Sequence, residues 1–399
     1  MDFSFTDEQE LFRKTVRQFS EREVRPQYAD RERPDYDLPA FLQRMAELGL
    51  LGLRAPVEYG GVNTSYVNVG IATEELSRSD YNVGTLIVSS VISTEVLSLH
   101  ATDRVKEEWL PDMVSGRRHV ALALTEPHSG SDAAALTTRA VRDGDHYVIT
   151  GEKSSTSQVD ADACIVFVRT GQGTGARDVS AILVPLDTPG VGTSRFTDLG
   201  MKLSRRGALH LDGVRVPAHN LVGQEGQGFY TVMNQFDYTR AVIAIQCVAT
   251  AMQSVEETIE YVKARTAFGQ PIARYEGVSF PIAEALATLE AARLLCYKAL
   301  WLRDVKLPHA KEAAMAKWLG PKLAVEAIHQ MLLLHGHAGY SSDYPHGQRL
   351  RDVIGHQIGD GTGEIMKLII AREALGREFR PRSEHSVQAL VEPLGADRR

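Results

Sequence analysis

Cysteine is scarce: Cys164, Cys247 and Cys296 are the only three in 399 residues, far apart and set in apolar runs. That spacing excludes a disulfide framework and a cysteine zinc site, and it suits buried free thiols. No run reaches the roughly 18 uninterrupted apolar residues that span a bilayer. The start, MDFSFTDEQE, is acidic and polar, unlike a secretory or transit peptide. The expectation is a cytoplasmic protein without a membrane role. HExxH is missing, His335 and His337 are two apart, and His346 and His356 are scattered, so no metal site is expected. There is no GxSxG elbow, Walker loop, internal repeat or low-complexity tract. Positive charge is not in excess: 44 Lys and Arg face 51 Asp and Glu, for a net charge of −7. Nothing therefore draws the whole molecule to nucleic acid or an anionic membrane.

What is present is a globular composition, 43% hydrophobic and 24% charged, in a chain too long for one core. Residues 1–120 read as a helical domain. Thr6 with Gln9 makes a capping-box start, and Leu11, Phe12, Val16 and Phe19 recur at helical spacing. Phe41, Met45, Leu48, Leu50 and Leu51 form a second apolar face, ended by a turn at 58–61. The apolar run 83–99 predicts a buried helix. From 121 to 230, β-branched residues gather in short runs between turn signals, so a middle β domain is expected. Asp143-Gly144 is its hairpin signal, and strands are expected at 139–142, 146–150, 164–168 and 180–185, with another ending at 214–217. From 231 to 380 helical periodicity returns over 242–262, 278–302, 310–335 and 365–379. Gly and Pro cluster at 268–271 and 340–347. Residues 381–399, with Pro381 and Pro393, read as a flexible tail.

Three stretches carry chemistry. ALTEPHSGSD at 123–132 puts hydroxyls, carboxylates and a glycine at the entrance to the β region, where a backbone can approach a phosphate or a flat cofactor. RTAFGQP at 265–271 follows a long helix, and an Arg followed by an aromatic suits a pyrophosphate and a flat ring. GDGTGE at 359–364 precedes the last helix. Its glycines permit close backbone approach, and Asp360 lies near a helix N-terminus that favours its ionised form. Plain alternatives exist for each: a polar turn, a helix stop, a helix cap. Gly223, Gly226 and Gly228 lack the strand–helix context of a dinucleotide fingerprint and read as a loop.

In order and spacing, these stretches resemble the acyl-CoA dehydrogenase family over about residues 1–380. Supporting matches are LGMK at 199–202, VRVP at 214–217, GQGF at 226–229, FDYTR at 236–240, HGHAGY at 335–340 and RD at 351–352. The resemblance implies an α+β multidomain fold: an N-terminal helical domain, a middle β-barrel and a C-terminal four-helix bundle. It implies FAD, a homotetramer, and an electron-transfer flavoprotein as electron acceptor. The implied reaction is α,β-dehydrogenation of an acyl-CoA, with the α proton going to a carboxylate and a hydride to flavin N5. The backbone N–H of the base residue and a flavin ribose hydroxyl would stabilise the enolate.

Carried over by position, the base is Asp360. Leu124 and Thr125 contact the flavin ring, Ser131 the FAD pyrophosphate or the CoA chain, and Ser157 matches the hydroxyl near flavin N5 and O4. Arg265, Phe268 and Gly336 reach the FAD of a neighbouring subunit, while Thr362 and Glu364 contact FAD from the other side. Asp237 and Arg240 lie along the CoA or thioester path. Four positions depart from the family. Ser155 replaces a flavin-stacking aromatic, Leu333 a Gln that contacts FAD, Gly359 the aromatic before the base, and Asp360 the usual Glu. Some members carry the base on an earlier helix, at the position of Thr239, and Thr cannot serve there. Gly84, Gly359 and Gly361 are expected to line the acyl site. The small residues Gly84 and Gly359 leave width for a ring or branch, and 358–367 resembles cyclohexane-1-carboxyl-CoA dehydrogenases. The alternatives are a short-chain acyl-CoA dehydrogenase or a flavin oxidase of nitroalkane-oxidase type. A non-catalytic binding protein is disfavoured by the ionisable base among glycines.

Overall fold

The computed structural model describes residues 4–376. The expected tail at 381–399 and the last residues of the predicted helix 365–379 lie outside the described residues. Helices α1 (Asp7–Phe19), α2 (Leu38–Glu47), α3 (Tyr66–Ser77), α4 (Tyr81–His100) and α5 (Asp103–Val114) come first. The capping box is formed: Gln9 N donates to Thr6 Oγ1 at 3.2 Å, and Thr6 N to Gln9 Oε1 at 3.0 Å. α4 is the one helix among the described residues long and apolar enough to cross a membrane. It is buried inside the protein over most of its length, which makes it a core helix.

A sheet follows, of β1 (Val120–Ala123), β2 (Arg139–Asp143), β3 (His146–Thr156), β4 (Ala163–Arg169), β5 (Val179–Pro185), β6 (Val191–Arg195), β7 (Gly207–Pro217) and β8 (Leu221–Val222). Gly144, at φ +63°, makes the hairpin between β2 and β3. The strand order is β6-β7-β3-β2-β4-β5-β8, with β1 parallel to β4. The sheet is open, so the expected closed barrel is corrected. β2 meets β4 at the single pair Arg139–Arg169. β8 has two residues before the chain leaves for a helix. That helix starts at Gly228, where a Cβ would come within 2.4 Å of the Ser180 carbonyl carbon. The edge strand is thus cut short by a helix seated on β5, and no ladder is left to close.

The C-terminal part is α6 (Gly228–Ala264), the short hairpin β9 (Thr266–Ala267) and β10 (Gln270–Pro271), α7 (Glu276–Asp304), α8 (Ala310–Leu334), α9 (His346–Ile354) and α10 (Gly363–Leu375). α6 begins well before the predicted 242, and α9 starts at the end of the 340–347 Gly/Pro cluster and runs through residues for which no helix was expected. α6 and α8 cross closely at Gly320, whose Cβ would sit 3.0 Å from that of Ala244. One apolar core runs through all three parts. It includes Leu86 and Ile92 of α4, Leu124, Ile165 and Leu183 of the sheet region, and Val232 and Phe236 of α6.

Candidate active site

The turn after α9 carries Asp360. Its backbone is left-handed, φ +55°, and Gly361 follows at φ +104°. Asp is among the few residues that enter this region at modest cost. At Gly361 a Cβ would meet Met366 Cε at 2.5 Å. Thr362 caps α10, its Oγ1 accepting from Ile365 N at 3.4 Å. The capping alternative for Asp360 is therefore taken by its neighbour.

Three basic or acidic side chains from other helices face this turn. Arg240 of α6 donates from Nε to the Asp360 carbonyl at 3.5 Å, lies 3.5 Å from Asp237, and stacks 5.7 Å over Phe236. Lys317 of α8 is fully buried and donates to the carbonyls of His356 at 2.6 Å and Gly361 at 3.1 Å. Burial raises the pKa of Asp360, and the charges of Lys317 and Arg240 pull it back. Burial likewise raises Asp237, against Arg240. It lowers Lys317 to about 8. His356, bonded to the Tyr81 hydroxyl, is pushed by burial to about 3 and stays neutral. Thr239 spends its hydroxyl on Gln235 O at 3.2 Å inside its own helix.

At Gly359 a Cβ would make only ordinary contact, 3.5 Å from His356 Cδ2, so no backbone crowds the position. Gly84 is different. A Cβ there would come to 2.0 Å of Ser77 Oγ and 3.1 Å of Gln246 Cγ, so this glycine serves the packing of α4 against α3 and α6. The space a side chain would need there is already filled by protein.

The loop after β1 carries the other candidate residues. Leu124 is buried, and its carbonyl accepts from Lys153 Nζ at 3.2 Å. Lys153, completely buried, also donates to Glu126 at 2.7 Å. Glu126 accepts further bonds from Thr137 N at 2.7 Å and Thr138 N at 2.9 Å. Burial pushes Glu126 up, but Lys153 and these donors outweigh it and hold it at about 2. Thr125 O accepts from Ser154 N at 2.9 Å, which ties the loop to β3. Ser131 is exposed at the loop's far end and Ser157 is half-buried beyond β3. Ser155, left-handed at φ +60°, accepts from Arg206 at 2.9 Å, and Arg206 is paired bidentately with Asp198. The segment between β6 and β7 docks on α9, with Met201 N donating to Asp352 at 2.5 Å. The segment between β6 and β7 is thereby joined to α9, the helix that precedes the Asp360 turn.

Arg265, Phe268 and Gly336 lie elsewhere. Arg265 follows Arg240 by about seven helical turns along α6, about 37 Å at 1.5 Å per residue. Phe268 is 95% exposed and left-handed, φ +53°. Gly336 has φ +61° and open space where a Cβ would point. It is held near the end of α6 by Tyr261, whose hydroxyl donates to His335 O at 3.3 Å and whose ring stacks on His335. Thr362 and Glu364 stay with the Asp360 turn, and Glu364 is exposed and paired with Lys367 at 3.5 Å. Sequence reasoning missed Lys317, the Lys153–Glu126 pair and Arg206. Lys317 had a signal, a lone cation among Ala313, Ala314, Ala316 and Gly320. Among the described residues, no group of three metal-ligating side chains occurs.

The chain matches three family models: the acyl-CoA dehydrogenase N-terminal domain over 6–117, the middle domain over 121–214 and the C-terminal domain over 226–375. A probable acyl-CoA dehydrogenase of Bacillus subtilis, YngJ, is 35% identical, covering 94% of this chain and 100% of that protein. Butyryl-CoA dehydrogenase from Megasphaera elsdenii superposes with a TM-score of 0.90 at 30% identity, covering 94% of this chain and 100% of that one. A structure described under the electron transferring flavoprotein of Acidaminococcus fermentans matches equally, with TM-score 0.90, 30% identity and the same coverage. Enzymes of this kind are FAD-dependent oxidoreductases. The residues here fit that cofactor: a backbone loop pinned from beneath by Lys153, hydroxyls at Thr125 and Ser157, and an uncrowded glycine at 336. By its three domain matches and its full-length relatives, this chain belongs to the acyl-CoA dehydrogenase family.

Proposed function

We propose that this enzyme dehydrogenates an acyl-CoA thioester across the α,β bond, with Asp360 taking the α proton. One observation carries the assignment. Asp360 projects from a strained turn between two buried cations, while the cap it might have made belongs to Thr362. A carboxylate with no structural duty, raised by burial, is suited to accept a proton. FAD supplies the acceptor for the hydride that leaves the β carbon. The backbone N–H of Asp360 steadies the thioester oxygen as it becomes an enolate. Asp reaches about 1.5 Å less than Glu. Gly359 and Gly361 let the turn itself approach to compensate.

Leu124, Thr125, Ser131, Ser157, Thr362 and Glu364 hold the cofactor from one subunit, and Arg265, Phe268 and Gly336 from its neighbour. Ser131, Asp237, Arg240, Gly359 and Gly361 line the path of the CoA thioester. A homotetramer is supported by the distance of Arg265 from Asp360, and by exposed Phe280, Leu286, Leu294 and Trp301 on α7 and Leu368 on α10. An electron-transfer flavoprotein is the proposed electron acceptor. Three buried free thiols agree with a reducing cytoplasm.

For the acyl group we favour a ring or branch, with cyclohexane-1-carboxyl-CoA as the candidate, on the uncrowded space at Gly359. The likeness to butyryl-CoA dehydrogenase favours a short straight chain as the second reading. Ranking acyl-CoAs by kcat/KM separates them, since a linear substrate outrunning the cyclohexane thioester ends the ring reading. Asp360→Asn tests the base. It should keep FAD and bind thioester, while anaerobic flavin reduction falls by about 10² or more. Reduction at the parent rate would place the base elsewhere.

A further inference from the structure

We infer that Lys317 is the positioning residue of the base: its ammonium clamps the Asp360 turn at both ends and supplies the charge that keeps the carboxylate ionised. This inference rests on Asp360 being the base.

The geometry is specific. Lys317 rises from α8, a helix otherwise buried through Ala313, Ala314, Ala316 and Gly320, and only 2% of its surface is exposed. Its Nζ bonds the carbonyls of His356 and Gly361, the residues that bracket the turn. An ammonium has three donors, and among the described residues two are taken by these carbonyls and none by a carboxylate in ion-pair contact. The strongest attraction its charge feels is toward Asp360, and Lys317 is in turn the strongest charge acting on Asp360.

Arg240 is the other cation at the turn, but Asp237 lies 3.5 Å from it and divides its charge. Lys317 has no such competitor. Other groups face the turn from every side. Asp237, Arg240 and Cys247 come from α6, Tyr81 from α4, His356 from the turn itself, and Arg372 from α10, with Arg206 acting on His356. Burial keeps Tyr81, Cys247 and His356 neutral. Among the described residues, Lys317 and Arg240 are the charges acting on Asp360 and Asp237 is the anion beside Arg240, while Asp352 of α9, which faces Tyr81, is pushed up by burial to about 8.

A lysine that merely held the turn would be replaceable by an uncharged donor. The holoenzyme decides this by anaerobic stopped-flow flavin reduction, with the preferred acyl-CoA at saturation, from pH 5 to 9. Lys317→Gln retains a donor for the carbonyls and removes the charge. Its acid limb should move to higher pH by about one unit or more, since an adjacent opposite charge lowers a carboxylate by about one to three units. Reduction should then fall about tenfold at pH values below the parent midpoint and recover toward the parent rate at high pH. Lys317→Arg should return the limb to its parent position. If the Gln variant does not hold FAD, Lys317→Met, of similar length, serves in its place. An equal loss at every pH with an unmoved midpoint, or no loss, overturns the inference while leaving Asp360 as the base. Should Asp360→Asn reduce its flavin at the parent rate, the base assignment falls and this inference with it.

Discussion

Lys153 and Glu126 are both completely buried, and although Glu126 falls in the 123–132 stretch, nothing in the sequence pairs it with Lys153. Their pairing fixes the backbone that carries Leu124 and Thr125, so a cost in charge burial is converted into a rigid loop. Removing one partner leaves the other buried and uncompensated, and the expected destabilisation for Lys153→Met is about 3–5 kcal/mol, read by urea unfolding. The pH dependence follows from Glu126, whose folded pKa is depressed to about 2 from an ordinary 4.5. The unfolded chain binds the proton first as pH falls. The stability Glu126 contributes is therefore full above about 4.5 and lost progressively toward 2. Thermal midpoints across that window should fall in the parent and fall less steeply in Lys153→Met, where the low folded pKa is no longer held.

Among the elements, α4 and α6 set the depth of the site. α4 is apolar on nearly every face because α3, α5, α6 and the sheet surround it. Gly84 belongs to that packing. Gly84→Val should lower stability by about 1–3 kcal/mol through overpacking against Ser77 and Gln246. The ranking of acyl-CoAs by kcat/KM should stay unchanged. A changed ranking would return Gly84 to the acyl site. The last helix illustrates the opposite economy. Thr362 closes the first turn of α10 with its own hydroxyl, so Asp360, two residues earlier, is not needed as its cap.

At the scale of the whole molecule, α6 separates what one subunit can bring to one site. Arg240 and Arg265 sit at distant points of a single rod, about 37 Å apart. On the proposed reading, Arg265 serves a second copy. Mixed oligomers test this. Asp360→Asn and Arg265→Ala chains, each impaired alone, are unfolded together, refolded with FAD and assayed. If Arg265 acts across an interface, a pair made of one chain of each kind has one intact site, and activity exceeds the sum of the separate variants. No excess would mean that Arg265 serves its own chain. Refolded parent chains set the yield against which the excess is measured.

Local order was readable along the chain. The Thr6 capping box, the Asp143-Gly144 hairpin, the buried run in α4 and the helices of the C-terminal part follow from side-chain period and turn chemistry, which act between near neighbours. The turn bearing Asp360 was also visible, through its glycines and the resemblance of its surroundings. Closure of the sheet was not, because it depends on where β8 stops and how α6 seats on β5. Nor was the packing at Gly84, where a Cβ would meet Ser77 and Gln246 of neighbouring helices. The burial of Lys317 and Lys153 became visible only in the fold. Residues near in sequence declared their own geometry, whereas burial and partnership between distant ones are properties of packing, and only the tertiary structure decided them.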